Sequence, residues 1–327
     1  MRATPALGPA ARRLLALGLA ALACSCGRRE RAAAPASPGG AASAATAAPP
    51  GSERPSFRAE ADPDRPPFSG LRGARGAALD DRERLWVADF EHGAIRVFDR
   101  AGGFLGGWGS RGDGVHQLKD PCGIAIRGED VYVADTWNGR VLRFSLSGEP
   151  KGRAPGDFYG PRGIAAAPDG KVWVADTGNG RVVVLESDLT NPKYLGKAGA
   201  GPEELASPVG IAAGPSGRVY VADTGNRRVQ ILDASGAFRS RFAFPGWGPN
   251  TEPYLAAAAD ESLYATDPAS QSVVRLDRNG RETKRWTADD AGRKFSRPTG
   301  VALDAKRGVL YVVNTDTDVV ATVKIPS

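Results

Sequence analysis

Short runs of apolar residues recur along most of the chain, and polar or glycine-rich turns separate them. Runs of this length, bounded by Gly, Pro, Asn and Asp, predict β-strands rather than helices. No stretch shows the 3.6-residue spacing of apolar positions that a long amphipathic helix requires. The pattern therefore predicts an all-β protein built from many short strands.

One strand recurs in nearly the same form, as an apolar residue, an aromatic residue and a third small or apolar residue followed by Ala-Asp or a close variant. Its copies end at Asp89, Asp135, Asp176, Asp223, Asp267 and Asn314. The mean interval between these positions is 45 residues. An interval of this size, with four short strands in each unit, is typical of propeller blades. Six copies predict a six-bladed β-propeller.

The other strands of each unit follow from the same repeat. An inner strand begins at a Pro-x-Gly turn, as at 121–125, 161–165 and 208–212, where small residues allow six sheets to converge. The strand that ends in Ala-Asp comes second and is apolar on both faces, as a strand between neighbouring blades must be. A third strand follows, and the fourth is the least regular, as expected of an exposed edge.

The last unit supplies three strands, at 300–325, so its fourth strand must come from elsewhere. The short alternating segment 57–61 precedes the first inner strand. We expect this N-terminal strand to close the last blade, because closure removes two exposed sheet edges. The predicted propeller domain then spans residues 56–327.

Three copies of the repeat carry a family resemblance. The sequence Ala-Asp-Thr-Trp-Asn-Gly-Arg-Val at 134–141, with its counterparts at 175–182 and 222–229, resembles an NHL repeat. The resemblance covers about residues 71–325 and implies a six-bladed propeller. The Asp and Asn of the motif also have a local explanation, because both can satisfy turn amides and Asn tolerates a left-handed backbone. We interpret them as structural turn residues rather than ligands.

The N-terminus reads as an export signal. Two arginines precede the apolar run 14–23, which is far shorter than the ~20 residues of a membrane-spanning helix. The sequence up to Cys24 resembles a bacterial lipobox, in which the cysteine becomes the first mature residue and carries a lipid, although Leu22 lies two rather than three positions before it. We predict a signal peptide at 1–23 and lipidation at Cys24. Cys26 as the acceptor and a plain secretory signal are the alternatives.

Residues 24–55 are rich in Ala, Pro, Ser and Gly, and they contain too few large apolar groups to offset the entropy of ordering. We expect a disordered spacer between the membrane and the propeller. The predicted location is that of an exported, membrane-anchored lipoprotein that faces the periplasm or the cell surface. Beyond this N-terminal part lies a single cysteine, Cys122, which we interpret as a small buried hydrophobic residue.

Charge and histidine content limit the chemistry. Residues 67–327 carry 34 basic and 32 acidic side chains, which gives no bulk attraction to nucleic acid. The peptide-amidating lyase, a propeller that resembles these repeats, holds zinc with three histidines, and this domain has only His92 and His116. We interpret both as solvated loop residues and expect no catalytic residue, metal or cofactor. The alternative is a metal-dependent lyase or hydrolase of the streptogramin-lyase-like or gluconolactonase-like type, with either histidine as the base in the streptogramin-lyase-like case.

Links between blades and the turns after the second strands emerge on one side of a propeller, and arginine and tryptophan recur on that side. The predicted ligand-binding residues are Arg140, Arg181, Arg228, Arg162, Trp137 and Trp247. Arginine with aromatic residues is the usual composition of binding hot spots. The alternative is that the arginines pair with carboxylates and the tryptophans cover turns. We predict a monomeric, non-catalytic binding or scaffold protein whose partner is another envelope protein or an acidic or extended ligand, and not nucleic acid.

Overall fold

Six antiparallel sheets follow one another as propeller blades in the computed structural model, which describes residues 66–248 and 250–325. This arrangement confirms the predicted all-β, six-bladed fold. The predicted signal peptide 1–23, the lipidation site Cys24, the spacer 24–55 and the closing strand 57–61 lie outside the described residues. No helix within the described ranges is long and apolar enough to span a bilayer.

The first three blades are four-stranded meanders, numbered from the axis outward. Blade one contains β1 (Ala77–Leu79), β2 (Leu85–Asp89), β3 (Ala94–Phe98) and β4 (Phe104–Trp108). The link to blade two contains a short parallel pair, β5 (Ser110–Arg111) and β6 (Gln117–Leu118). Blade two contains β7 (Gly123–Arg127), β8 (Asp130–Asp135), β9 (Arg140–Ser145) and β10 (Pro150–Arg153). Blade three contains β11 (Pro161–Ala166), β12 (Val172–Asp176), β13 (Arg181–Leu185) and β14 (Lys193–Leu195).

The remaining blades repeat the same order of strands. Blade four contains β15 (Pro208–Ala213), β16 (Val219–Asp223), β17 (Arg228–Leu232) and β18 (Phe238–Ala243). Blade five contains β19 (Leu255–Ala257), β20 (Leu263–Asp267), β21 (Ser272–Leu276) and β22 (Glu282–Trp286). The described part of blade six contains β23 (Pro298–Asp304), β24 (Val309–Asn314) and β25 (Val319–Lys324).

The core lies between the blades, on both faces of the second strands. Every residue of β2, β12, β16 and β20 is buried, as predicted for strands between neighbouring sheets. Trp86 of blade one packs in one cluster with Val131 and Val133 of blade two. Complete burial of a side chain of this size stabilises the fold by about 1.5–3 kcal/mol. The outer strands β10 and β18 are mostly exposed, as expected of edges.

Glycine at the start of the inner strands allows the sheets to converge on the axis. A Cβ atom added to Gly163 would lie 2.2 Å from the backbone oxygen of Val209 in the next blade. The same close approach occurs at Gly76, Gly123, Gly210 and Gly300. A side chain at any of these five positions would clash with backbone that cannot move without displacing a whole blade. Blade five departs from this rule, because Tyr254 stands in the position of the glycine.

In several blades, the threonine that follows the second strand forms a hydrogen bond to the next blade. The hydroxyl of Thr136 donates to the backbone oxygen of Pro161 at 2.7 Å, and Thr177 donates to Pro208 in the same way. Thr315 of blade six donates to the oxygen of Ala74 at 2.8 Å. This last bond joins the final blade to the first, so the described residues themselves close the ring.

Candidate functional site: the link face and the axial mouth

The aspartate at the end of the second strand organises the face that carries the links. In blade two, Oδ1 of Asp135 accepts a hydrogen bond from the backbone N–H of Lys119 in the preceding link. Its Oδ2 accepts from Nδ2 of Asn138 at 2.8 Å and from Nε of Arg140 at 2.6 Å. Asp176 and Asp223 make the equivalent bonds in blades three and four. One carboxylate thus joins a link, a turn and a third strand.

The backbone of the turn differs in one respect from the expectation. The asparagine does not adopt the left-handed conformation. The residue after it does so instead, with φ of 57° at Gly139, 60° at Gly180 and 54° at Arg227. The structural role predicted for Asp and Asn fits this geometry.

Each blade that has the buried aspartate also supplies it with a cation, from the third strand in blades one to four and from the outer strand in blade five. In blade one, Arg96 of β3 and Nδ1 of His92 contact Oδ2 of Asp89. In blade five, Arg285 reaches Asp267 from the outer strand β22. Blade six has a neutral Asn314 at the position, which accepts from the N–H of Ser296 and needs no counterion. Pairing is expected here, because a buried carboxylate without a cation is costly.

The predicted arginines are mainly counterions in this network. Arg140 is 8% exposed and donates four hydrogen bonds, to Asp135 and to three backbone oxygens of the preceding link. Arg228 bonds Asp223 and two link carbonyls in the same manner. Arg181 keeps more freedom, with one aspartate and one carbonyl as partners and its guanidinium 4.3 Å from the ring centre of Tyr194. Of these three motif arginines, Arg181 has the most exposed side chain.

The two predicted tryptophans have opposite environments. Trp247 is 2% exposed, stacks on Phe244 with ring centres 4.2 Å apart, and donates its indole N–H to the oxygen of Thr266. It packs in the core between blades four and five and offers no surface to a ligand. Trp137 is 44% exposed at the tip of the blade-two turn. Sequence alone could not separate these two environments.

Four large apolar side chains are exposed in the part of the chain that the structure describes, and all four belong to neighbouring segments. They are Val115, Trp137, Tyr159 and Tyr194. The turn of Trp137 contacts the link that carries Val115, since Trp137 N–H donates to Lys119. Tyr159 lies over Gly178 in the next turn, and the hydroxyl of Tyr194 approaches Gly156 of the same link. We call Val115, Trp137, Tyr159 and Tyr194 the aromatic ridge.

A second polar feature occupies the mouth of the propeller axis. Glu252 forms ion pairs with Arg162 and with Arg75, whose Nε lies 2.9 Å from its Oε2. Burial raises the pKa of the Glu252 carboxyl, but the attraction of Arg162 and Arg75 is greater and holds that pKa below its usual range. Glu252 is therefore a carboxylate at neutral pH, and the predicted site residue Arg162 is its counterion.

Neither histidine forms part of this mouth. His92 occupies the position of the motif asparagine and contacts Asp89 at 2.7 Å, and His116 is exposed in the link to blade two. Cys122 is 2% exposed near the axis, and burial raises the pKa of its thiol. Within the described ranges, no group of three His, Cys, Asp or Glu residues is placed to hold a metal ion.

The fold and the repeated Asp–Asn–Arg turn define an NHL-type propeller. The NHL repeat family matches residues 158–185 and 205–232, within blades three and four and their links. The human NHL-repeat-containing protein 4 is 33% identical over 100 residues, which cover 29% of this chain and 77% of that protein. The chain belongs to the NHL-repeat family.

Two further similarities are too partial or too distant to assign a relative's activity to this chain. The rat E3 ubiquitin-protein ligase NHLRC1 is 30% identical over 96 residues, which cover 29% of this chain but 24% of the ligase. The chain thus spans about a quarter of that relative's length. A gluconolactonase from Xanthomonas campestris superposes with a TM-score of 0.61 at 15% identity, over 80% of this chain and 89% of the lactonase. At that identity, the similarity concerns the fold alone.

Proposed function

We propose that this protein is a non-catalytic binding or scaffold propeller, which holds a protein partner on the aromatic ridge. The observation that carries the proposal is the clustering of the exposed large apolar side chains on two adjacent links, one turn and the outer strand of blade three. Tyr159 and Trp137 are 70% and 44% exposed. Aromatic side chains in such positions are the usual anchors of protein interfaces, because they lose large apolar area to the partner at little conformational cost.

The surroundings of the ridge favour a protein segment over a small molecule. Arg181 lies against Tyr194 and adds a cation beside the aromatic surface. A cleft of about 390 Å³ adjoins Tyr194, and its lining combines apolar side chains such as Leu195 and Phe238 with the charged residues Lys197, Glu203 and Glu204. An extended segment with apolar side chains would match the ridge and the cleft together, and an acidic group of that segment would lie beside the partly exposed Arg181 rather than in the cleft. One similar NHL-repeat protein is named as an E3 ubiquitin-protein ligase. A propeller that binds another protein is consistent with this similarity.

Replacing Trp137 with Ala is expected to weaken partner binding at least about tenfold, or about 1.4 kcal/mol, without changing the melting temperature. Truncation removes an exposed anchor and leaves the turn bonds of Asp135 intact. A photo-crosslinking residue at position 159 would identify the partner in an envelope extract, and the dissociation constant would then be measured with the purified pair.

Lys284→Ala is the matched control, because Lys284 is an exposed long side chain on blade five, on the opposite side of the ring. Its dissociation constant should equal that of the parent protein. If the crosslinked partner binds Trp137→Ala and Lys284→Ala equally well, the aromatic ridge is not the binding surface.

We further propose that the propeller is exported and is held at the membrane by a lipid on Cys24, as the lipobox-like sequence suggests. The double variant Cys24→Ala/Cys26→Ala is expected to move from the membrane pellet to the soluble fraction after cell fractionation. Two variants, Cys24→Ala alone and Cys26→Ala alone, identify the acceptor. A double variant that stays in the pellet with its signal cleaved would contradict lipid anchoring.

The metal-dependent lyase or hydrolase remains the alternative function. It would need a base near the axis, and His92 is already accounted for by its bond to Asp89 in the turn of blade one. An activity that His92→Ala abolishes while the fold and abundance are unchanged would favour this alternative.

A further inference from the structure

We propose that the axial mouth is a binding site for a carboxylate group, either of a small organic acid or of a polypeptide C-terminus. A cavity of about 270 Å³ opens there between blades one, five and six. Its polar walls are formed by Arg75, Arg297, Glu252, Asn250, Thr251 and Thr299. A cavity of this size is large enough for a small carboxylic acid.

Blade five departs from the repeat at the point where the cavity forms. In four of the other five blades, Pro-x-Gly precedes the inner strand, whereas blade five has Glu252-Pro253-Tyr254 at the aligned positions. Proline and glycine there serve turn geometry and close packing, and neither purpose requires a charged group. The exchange brings a carboxylate to the axis, between the arginines of two other blades.

The charges of the mouth leave a cation facing the cavity. Arg162 pairs with Glu252 from the far side and does not line the cavity. Glu252 is thereby compensated, so Arg75 is not fully neutralised by it. Arg297 adds a second guanidinium, whose Nε is 3.0 Å from the exposed Asp316. The charged residues that line the cavity are therefore two arginines and one carboxylate, and their net charge of +1 favours an anion with one negative charge.

Arg75 is held in place for such a ligand. It is 9% exposed, its Nη1 donates to the oxygen of Gly73 at 2.7 Å, and its guanidinium lies 4.6 Å from the ring centre of Phe90. Its Nε makes the ion pair with Glu252 without the geometry of a hydrogen bond. A buried donor in this situation is a feature that an additional acceptor would satisfy. A positioned guanidinium in a small polar cavity is suited to a carboxylate.

Calorimetric titration with N-acetylalanine tests the proposal, and N-acetylalaninamide is the neutral isostere. The acid is expected to bind and the amide is not. Arg297→Gln should weaken binding of the acid about tenfold, because it removes one guanidinium from the wall. Its side chain is 47% exposed, so the variant should fold. Arg278→Gln, which removes an exposed arginine from a turn of blade five, should bind like the parent protein.

Glu252→Gln is expected to change the affinity for N-acetylalanine in the opposite direction. This variant therefore separates a binding role of the three charged residues from a purely structural one. Removal of the competing carboxylate should strengthen binding of N-acetylalanine about tenfold. A structural clip of Arg75, Glu252 and Arg162 would show no binding in either protein. The proposal is overturned if acid and amide behave alike, or if Arg297→Gln and Arg278→Gln bind the acid equally.

A hexapeptide that ends in alanine distinguishes the two sources of the carboxylate, a small organic acid and a polypeptide C-terminus. The peptide is titrated once with a free and once with an amidated C-terminus. A free peptide that binds at least about tenfold more tightly than N-acetylalanine, with loss on amidation, assigns the site to a polypeptide C-terminus. Equal affinities of peptide and N-acetylalanine assign it to a small acid. Trp137→Ala leaves the axial mouth untouched, so failure of the aromatic ridge and failure of this site are distinguishable.

Discussion

Asp223→Asn is expected to lower the free energy of unfolding by about 3–5 kcal/mol, because it leaves a buried cation without its partner. The carboxylate of Asp223 is fully buried and accepts from the N–H of Ala206, from Asn226 and from Arg228. The side chain of Arg228 is 11% exposed, so water cannot replace the lost charge. Urea unfolding followed by circular dichroism measures the change as a shift in midpoint.

Blade six suggests the matched control for this variant. There the position holds Asn314, and Val319 occupies the position of the arginine. The double variant Asp223→Asn/Arg228→Val copies that pair into blade four and removes cation and carboxylate together. It should recover a large part of the lost stability. If the single variant unfolds at the midpoint of the parent protein, the aspartate–arginine pair does not stabilise the blade.

Gly163→Ala is expected to destabilise the propeller by about 1–3 kcal/mol through overpacking at the axis. The added Cβ would lie 2.2 Å from the oxygen of Val209 and 2.9 Å from the nitrogen of Ile211. Both are backbone atoms of the next blade, so relief requires the two inner strands to separate. The same urea experiment measures the change, and the slope of the transition reports whether the ring still unfolds as one unit.

Gly248→Ala is the control, because a Cβ at Gly248 would meet nothing within 4 Å and its backbone is not in the left-handed region. Its unfolding midpoint should equal or slightly exceed that of the parent protein, since alanine reduces the freedom of the unfolded chain. Equal midpoints for Gly163→Ala and Gly248→Ala would show that the inner strands have more room than the structure indicates.

Much of the fold was predictable because its determinants are local. The strand that ends at Asp176 and the turn that follows it lie within a few residues of each other, and their pattern repeats at a constant interval. The unbroken apolar run of each second strand predicts burial on both faces. The glycine of Pro-x-Gly indicates that neighbouring inner strands approach each other closely at the axis. The second strands end at the predicted residues for that reason, as β12 does at Asp176.

The counterions were not predictable in this way. Arginine is missing from the motif position in blades one and five, where Ala94 and Ser272 stand. Arg96 replaces it from a position two residues further along the third strand, and Arg285 replaces it from the outer strand of blade five. Only the pairing of strands brings these positions near Asp89 and Asp267. The aligned repeats do show one sign of a different pairing in blade one, because His92 replaces the motif asparagine there.

The aromatic ridge was only partly recognisable from the sequence. Trp137 stands where blades three and four have Gly178 and Gly225, and this marks it as an exception among the three closest copies of the motif. Tyr159 and Tyr194 lie in segments without a repeat, and their exposure depends on how the link and the outer strand of blade three pack. Trp247 has the same residue type as Trp137 and is buried, since Phe244 and the end of β20 surround it.

The amino-acid sequence by itself determined the strands, the number of blades and the turn at the end of each second strand, because alternation, turn residues and repeat interval act over short distances. The tertiary structure decided which charges neutralise each other and which aromatic rings reach water. Arg75, Arg162 and Glu252 lie 87 and 90 residues apart along the chain and meet only because the inner strands of blades one, three and five start at the same axis. Ion pairing and solvent exposure are properties of this convergence, and no local pattern encodes them.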